Sequence, residues 1–319
     1  MTTVAKLRQA DNKTITEGIL VEKKLEIRDY NRKDKAGNTF VDKGITGTIE
    51  VRTGDNETHT IKLFSHKTKA DGGENGIYKG YVTIMEEAVS QADVAQGKGE
   101  IATNVSVQGG LELNEYYDKT KVYRQNPEIK GLFVNRLDGE PSNKATFDVE
   151  IIVKSATEET DKEDNLTGRA ILHAIIPLYN KVVPMTFVVD TAGAQYVLDN
   201  FESGKSANIW GKMTNFRKVT QIEKEGGFGE SAYDEKVETL RELLVTGGKV
   251  YDEDSNQNFD KKLLKEALQA REVYLAELKT KAEQKADDTK ADGFSGAPTG
   301  ADVKKSAPSV NIDDLFEGM

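Results

Sequence analysis

ITGTIEVRTGDNETHTIKLF, residues 45–64, carries the pattern on which the reading of the fold turns. Ile49 and Val51 alternate with Thr48, Glu50 and Arg52. After Gly54-Asp55-Asn56, Ile61 and Leu63 alternate with Thr60, Lys62 and Phe64. A strict period of two on either side of a Gly/Asp/Asn turn predicts a hairpin with one face buried and the other in water. Upstream, Ile19, Val21, Leu25 and Ile27 predict an earlier strand over 16–27. Downstream comes a Gly-rich loop over 65–80, then Val82, Met85 and Val89 at helical spacing. Gly97-Lys98-Gly99 follows, and then a strand over 104–109.

The same order returns about a hundred residues later. Phe147, Val149 and Ile151 mark a strand, and Leu166-Thr167-Gly168 opens a second as Ile45-Thr46-Gly47 does earlier. Residues 171–176 and 182–189 make a hairpin around Tyr179-Asn180. A short helical stretch over 194–201 leads to Gly204-Lys205-Ser206, and the strand 208–211 mirrors 104–109. Three strands, a helix and two more strands is the order of the OB-fold, a partly open five-stranded barrel. A β-sandwich is also built from short strands and turns, but the helix before the fourth strand in both units favours the barrel.

Beyond residue 222 the pattern changes. Tyr233, Val237, Leu240 and Leu244 stand at helical spacing and end at Gly247-Gly248, which reads as a C-cap. A second helix starts near Asp260, with Leu264, Leu268, Leu275 and Leu278 along one face. Each apolar stripe has to be covered, either by the second β unit or by another molecule. The expected fold is mainly β: two OB-like five-stranded barrel units in tandem, residues 1–140 and 141–225. A helical hairpin over 226–282 and a disordered acidic tail over 283–319 follow, the tail being too poor in apolar groups to fold.

Charge is unevenly spread. The chain has 319 residues and a formal net charge of −10. Residues 223–319 hold 14 basic and 22 acidic residues, which leaves 30 and 32 in residues 1–222. Residues 1–80 are the reverse, with 15 basic and 12 acidic. A mildly basic head with an acidic tail is the asymmetry expected when a tail competes with a polyanion for one site. No apolar run is long enough to span a bilayer, and the N-terminus lacks a secretory signal, so no membrane partner and a cytoplasmic location are expected.

Several chemistries fall away. With no cysteine, thiolate metal sites and cysteine nucleophiles are excluded. His59, His66 and His173 lie in separate segments without metal-ligand spacing. Gly204-Lys205-Ser206 resembles the end of a P-loop, but Asp199 stands where that motif needs glycine. Asp252, Asp254 and Asn256 imitate a calcium loop, yet Gln257 and Leu263 occupy the positions of its glycine and closing glutamate. No catalytic group, metal or cofactor is expected, and the chain reads as a non-enzyme.

Binding to unpaired nucleic acid needs cations along the backbone path and exposed aromatic faces for the bases. Arg52, Lys62 and Phe64 share the polar side of the hairpin. Tyr30, Arg32, Lys33 and Phe40 cluster between the first two strands. Lys67, Lys69 and Tyr78 follow in the glycine-rich loop, with His66 beside them. In the second unit Trp210 and Lys212 are candidates, with Trp210 either stacking on a base or filling the contact between the units.

Paired OB units, basic-aromatic loops and an acidic tail ending Asp313-Asp314-Leu315-Phe316 together resemble bacterial and phage single-stranded-DNA-binding proteins. The resemblance implies a protein that protects single-stranded DNA, of phage type and at work in host cytoplasm. Its Asp313, Asp314, Leu315 and Phe316 would dock replication or recombination proteins. In this chain Phe316 is followed by Glu317-Gly318-Met319, and the helical hairpin is an addition. A phage adaptor without nucleic-acid binding and an RNA-binding OB protein are the alternatives.

Overall fold

The computed structural model describes residues 6–34, 37–118, 120–223 and 233–288. In the first half, β1 (Asn12–Lys33), β2 (Thr39–Gly54) and β3 (Glu57–His66) precede α1 (Gly76–Glu87) and α2 (Gln91–Ala95). Next come β4 (Asn104–Tyr117) and β5 (Tyr123–Arg136). The second half repeats the order with β6 (Lys144–Thr160), β7 (Leu166–Leu178), β8 (Lys181–Val189), α3 (Thr191–Asn200), β9 (Ser206–Glu223) and β10 (Tyr233–Val250). It ends in α4 (Lys261–Asp288).

The pairing closes a barrel in each half. β1 is antiparallel to β2 and β4, β2 to β3, and β4 to β5. A short parallel contact of β3 with β5, at Ile61/Ile129 and Lys62/Lys130, shuts the ring. The second half reproduces every contact: β6 with β7 and β9, β7 with β8, β9 with β10, and a parallel closure of β8 with β10 at Val188/Leu244. Closure leaves few backbone groups on open edges, which is why alternating short strands settle into this form.

The alternation seen in residues 45–64 becomes the wall of the first barrel. Ile45, Ile49, Val51, Ile61 and Leu63 are fully buried, and Thr60, Lys62 and Phe64 face outward. α1 closes one end by burying Tyr78, Tyr81 and Ile84, and the Tyr81 hydroxyl donates to the Gly131 carbonyl at 2.8 Å. The two barrels are stitched together. Residues 12–17 of β1 pair with 144–149 of β6, so one ladder runs through both. α4 straps them: Leu264 and Leu268 enter the second core, and Arg271 donates to the Glu115 carboxylate on β4 and to the Val182 carbonyl on β8. No helix among the described residues is long and apolar enough to cross a membrane.

The C-terminal third differs from the sequence reading in one place. Residues 233–247, expected to be the first helix of a hairpin, belong to strand β10, which pairs with β9 along its whole length. Val237, Leu240 and Leu244 do have helical spacing. A helix there would nevertheless leave one edge of β9 unpaired and the second barrel unclosed, and the ladder outweighs local propensity. Gly247 and Gly248 sit in register with Trp210 and Ile209 beside a bulge, and do not cap a helix. The second barrel thus takes its fifth strand from beyond residue 225. The second expected helix is present as α4 and continues to Asp288, past the expected start of the tail at 283. The tail beyond residue 288, with Asp313, Asp314, Leu315 and Phe316, lies outside the described residues.

Candidate nucleic-acid interface

The outward side of β1, β2 and β3 is assembled by register. Glu26, Thr46 and Phe64 stand in one row, Arg28, Gly44 and His66 in the next, then Tyr30 with Asp42, and Arg32 with Phe40. Paired residues of neighbouring strands project to the same side, so these rows make one surface. In the OB-fold, this side of the second and third strands is the one that takes oligomers.

Three rings meet there. Tyr30 lies 5.5 Å from Phe64 and 5.4 Å from His66, and Phe64 lies 4.8 Å from His66, all edge to face. Such geometry holds the rings upright and presents faces and edges to solvent. Phe64 is 38% exposed and Phe40 37%. The cluster requires Gly44, because a Cβ there would stand 2.7 Å from the Tyr30 ring. Burial, then the Arg32 charge, push the His66 pKa down against the pull of Asp42, so near pH 7 its ring is neutral and adds an aromatic face.

Arg32 has a different part from the one its residue type suggests. Its guanidinium is paired with Asp42 and donates to the Thr68 carbonyl at 2.8 Å. Burial opposes ionisation of Asp42, but hydrogen bonds from Arg32 and Thr68 prevail and hold its pKa below the ordinary carboxylate range. Arg32 thereby ties the loop after β3 to the β1–β2 hairpin. That loop carries exposed Lys67 and Lys69, and Lys33 is exposed at the end of β1. Lys62 faces outward two residues from Phe64, with its ammonium 3.3 Å from Glu128. Arg52 stands further along the same side, in register with Thr58.

Tyr78 leaves the set. It is 8% exposed, packs in the first core, and burial raises its pKa. The glycine-rich loop that seemed to present it ends at Asn75, whose side chain caps α1 and commits Tyr78 to the inner side of that helix. Trp210 is 43% exposed on the outside of the second barrel and lies over Gly247, where a Cβ would overlap the indole. Trp210 and Lys212 pair with Asp148 and Thr146 on β6 and have no ring contact with the Tyr30–Phe64–His66 cluster.

The corresponding side of the second barrel is built differently. In its rows Ser155 stands beside His173 and Thr186, and Ile152 and Ile175, both buried, beside Pro184; no aromatic cluster forms in them. Arg169 is held between Glu159 and Glu242. Where the barrels approach, β9 and β10 lean on the β2–β3 turn: the Arg217 amide donates to the Asn56 carbonyl at 2.8 Å, and Asn215 donates to Thr58. Between them is a cleft of about 540 Å³. Its wall residues Thr186, Asn215 and Arg241 carry no motif and could be found only after the barrels were placed together.

A family model described as YorF matches residues 11–281. No curated protein matches the chain. Among solved structures, the wild-type single-stranded DNA binding protein of Thermus aquaticus is similar at 11% identity and a TM-score of 0.40, over 78% of this chain and 96% of that one. A deletion variant of the same protein aligns at 11% identity and a TM-score of 0.41, over 77% and 97%. The likeness is a loose one of overall arrangement and transfers no residue roles.

Proposed function

The chain belongs to the YorF family, and we propose that it binds single-stranded DNA without catalysis, on the outer side of β1, β2 and β3. The observation that carries this reading is the solvent-facing trio Tyr30, Phe64 and His66 on the side of an OB barrel suited to oligomers. Lys33, Lys62, Lys67 and Lys69 supply cations around the rings. Aromatic rings stack only on bases freed from pairing, and stacking tolerates any base, so the expected ligand is an unpaired strand of mixed sequence. Duplex DNA would meet only the cations.

Protection of single strands in replication or recombination is the role that fits such binding. In this reading Asp313, Asp314, Leu315 and Phe316 dock a partner protein, with Phe316 as an anchor for an apolar pocket and the aspartates for a basic rim. Titration of labelled oligothymidine at two salt concentrations, with duplex DNA and RNA as competitors, tests the reading. Tight, salt-sensitive binding to the single strand and weak competition by duplex are expected. Equal affinity for duplex rejects it, and preference for RNA would assign the site to RNA instead.

A further inference from the structure

The aromatic side of the first barrel does not end in open solvent. Two and four residues before Phe64 on the same side of β3, Lys62 and Thr60 form one wall of the inter-barrel cleft. The opposite wall belongs to the second barrel: Thr186 on β8, Asn215 on β9 and Arg241 on β10. The cavity volume, about 540 Å³, is within the roughly 300–1,000 Å³ of small-molecule sites. It admits a group of nucleotide size and excludes a duplex.

The chemistry of the lining suits one unit of a strand. Lys62 and Arg241 line the cleft from the two barrels as cations for a phosphate, with Glu128, which Lys62 contacts at 3.3 Å, and Glu242 beside them. Arg241 is oriented by its bond to the Asn215 side chain at 3.2 Å. A second, independent feature is His59, which also lines the cleft. It is 3% exposed, and its Nε2 is buried without a hydrogen-bond partner among the described residues, 3.6 Å from the nearest Glu57 oxygen. Buried polar atoms seldom stand unpaired. Burial, against the pull of Glu57, lowers the His59 pKa, so near pH 7 the imidazole is neutral and matches the donors and acceptors of a base edge.

We propose that the inter-barrel cleft continues the single-strand track, taking a nucleotide unit beyond Phe64 so that both barrels hold one strand. The inference rests on the single-strand reading given above. It makes the second barrel a wall of the site, although its own outer side has no aromatic cluster.

Because the chain has no cysteine, a single introduced thiol is a clean probe. Thr186→Cys places it at the second barrel's wall of the cleft. Tyr179→Cys, at a position 78% exposed on the β7–β8 turn, serves as control. Alkylation rates are measured on each folded full-length variant, with and without saturating oligothymidine of about 16 nucleotides, the upper site size of one OB unit. Binding is followed by anisotropy in the same samples. Several-fold protection of the position 186 thiol, with no protection at 179, is expected. Full-rate alkylation at 186 with DNA bound overturns the cleft and leaves the open-side reading standing. Failure of wild-type protein to bind the oligomer overturns that reading and the cleft with it. Thr186→Trp, which fills the cleft, provides a second measure: unchanged affinity for the long oligomer in a variant that unfolds like wild type also overturns the inference.

Discussion

The two barrels have the same strand order, the same closing contact and a helix at the same point, yet their surfaces diverge. The first groups half-buried Tyr30 and His66 with exposed Phe64 on its outer side and closes its base with α1. The second has Pro184 beside a buried Ile175 where the first has rings, neutralises Arg169 between two glutamates, and takes α4 into its core. Even the shared device of a ring lying over a glycine differs. Tyr30 on Gly44 joins a cluster, whereas Trp210 on Gly247 has no ring partner. In the proposed reading, one fold, present twice, serves in its first copy mainly for contact and in its second mainly for support. What separates the barrels is the outward parity of a few strand residues, since inward positions in both are mostly apolar.

The largest effect should come from breaking the support. Arg271 and Glu115 are both buried, with 7% and 5% side-chain exposure, and they join α4 to the first barrel. Arg271→Ala leaves the buried Glu115 carboxylate without its cation and with only the Tyr123 hydroxyl as partner among the described residues, a loss of roughly 3–5 kcal/mol. Urea unfolding should show a much lower midpoint, while oligothymidine affinity measured well below the transition stays near wild type. A stable variant that binds DNA poorly would reverse the division of roles.

Next in size is the contact side. Phe64→Ala and Tyr30→Ala should each weaken single-strand binding by the worth of a stacked base, about 1–3 kcal/mol, or roughly 5- to 150-fold. Their unfolding curves should move little, as Phe64 is solvent-exposed. Trp210→Ala should leave affinity unchanged. If it costs as much as Phe64→Ala, the barrels share stacking and the contrast drawn above fails.

Much of this is legible in the sequence, and each departure has a physical cause. Residues 45–64 declared a half-buried hairpin because one side is wet and the other dry, which is what produces a period of two. The duplicated element order followed from the same signal. Phe64 was also readable, as an aromatic on a polar parity. β10 was not, because much of residues 235–242 extends beyond the barrel with both sides exposed, so no alternation is imposed on it. Tyr78 and Arg32, expected as contact residues, are engaged within the protein for another reason. Residue type gives a side chain's capacity, but capping by Asn75 and pairing with Asp42 decide its use. The inter-barrel cleft depends on β9 and β10 leaning on the β2–β3 turn, and no local pattern encodes that.

A smaller effect concerns acid. His59 is buried in the first barrel and its pKa is lowered, by burial first. An unfolded histidine titrates near pH 6.5, so below that the unfolded chain takes up a proton that the folded chain resists. Stability present above about pH 6.5 is therefore lost as pH falls toward the folded value, by at most about 1.4 kcal/mol per pH unit. His59→Leu should flatten this part of the curve when urea midpoints at about pH 7.5 and about pH 5.5 are compared. His173, in the second barrel, is partly exposed and shares a 3.1 Å bond with Thr186, so its replacement should matter less. Equal flattening by both variants would mean that acid acts on the two barrels alike.

The smallest expected effect is in the salt dependence of binding, and it refines which cations touch the strand. Lys67 and Lys69 are exposed on the loop that Arg32 anchors beside the rings, so their ammonium groups can follow a phosphate path without disturbing a core. Lys62 is already drawn toward Glu128, and Lys205 in the second barrel toward Glu202 at 3.1 Å. A cation that neutralises one phosphate of a single strand contributes about 0.7 to the slope of log affinity against log salt. Lys67→Ala and Lys69→Ala should each reduce the slope by about that amount, a change of only two- to three-fold in affinity over a fourfold range of salt. Lys205→Ala should leave the slope unchanged. The comparison is independent of stacking, since an aromatic contact shifts affinity at every salt concentration alike and a cation changes the gradient. A reduced slope in Lys205→Ala would carry the backbone path over the second barrel, and an unaltered slope in both loop variants would take it away from the loop after β3.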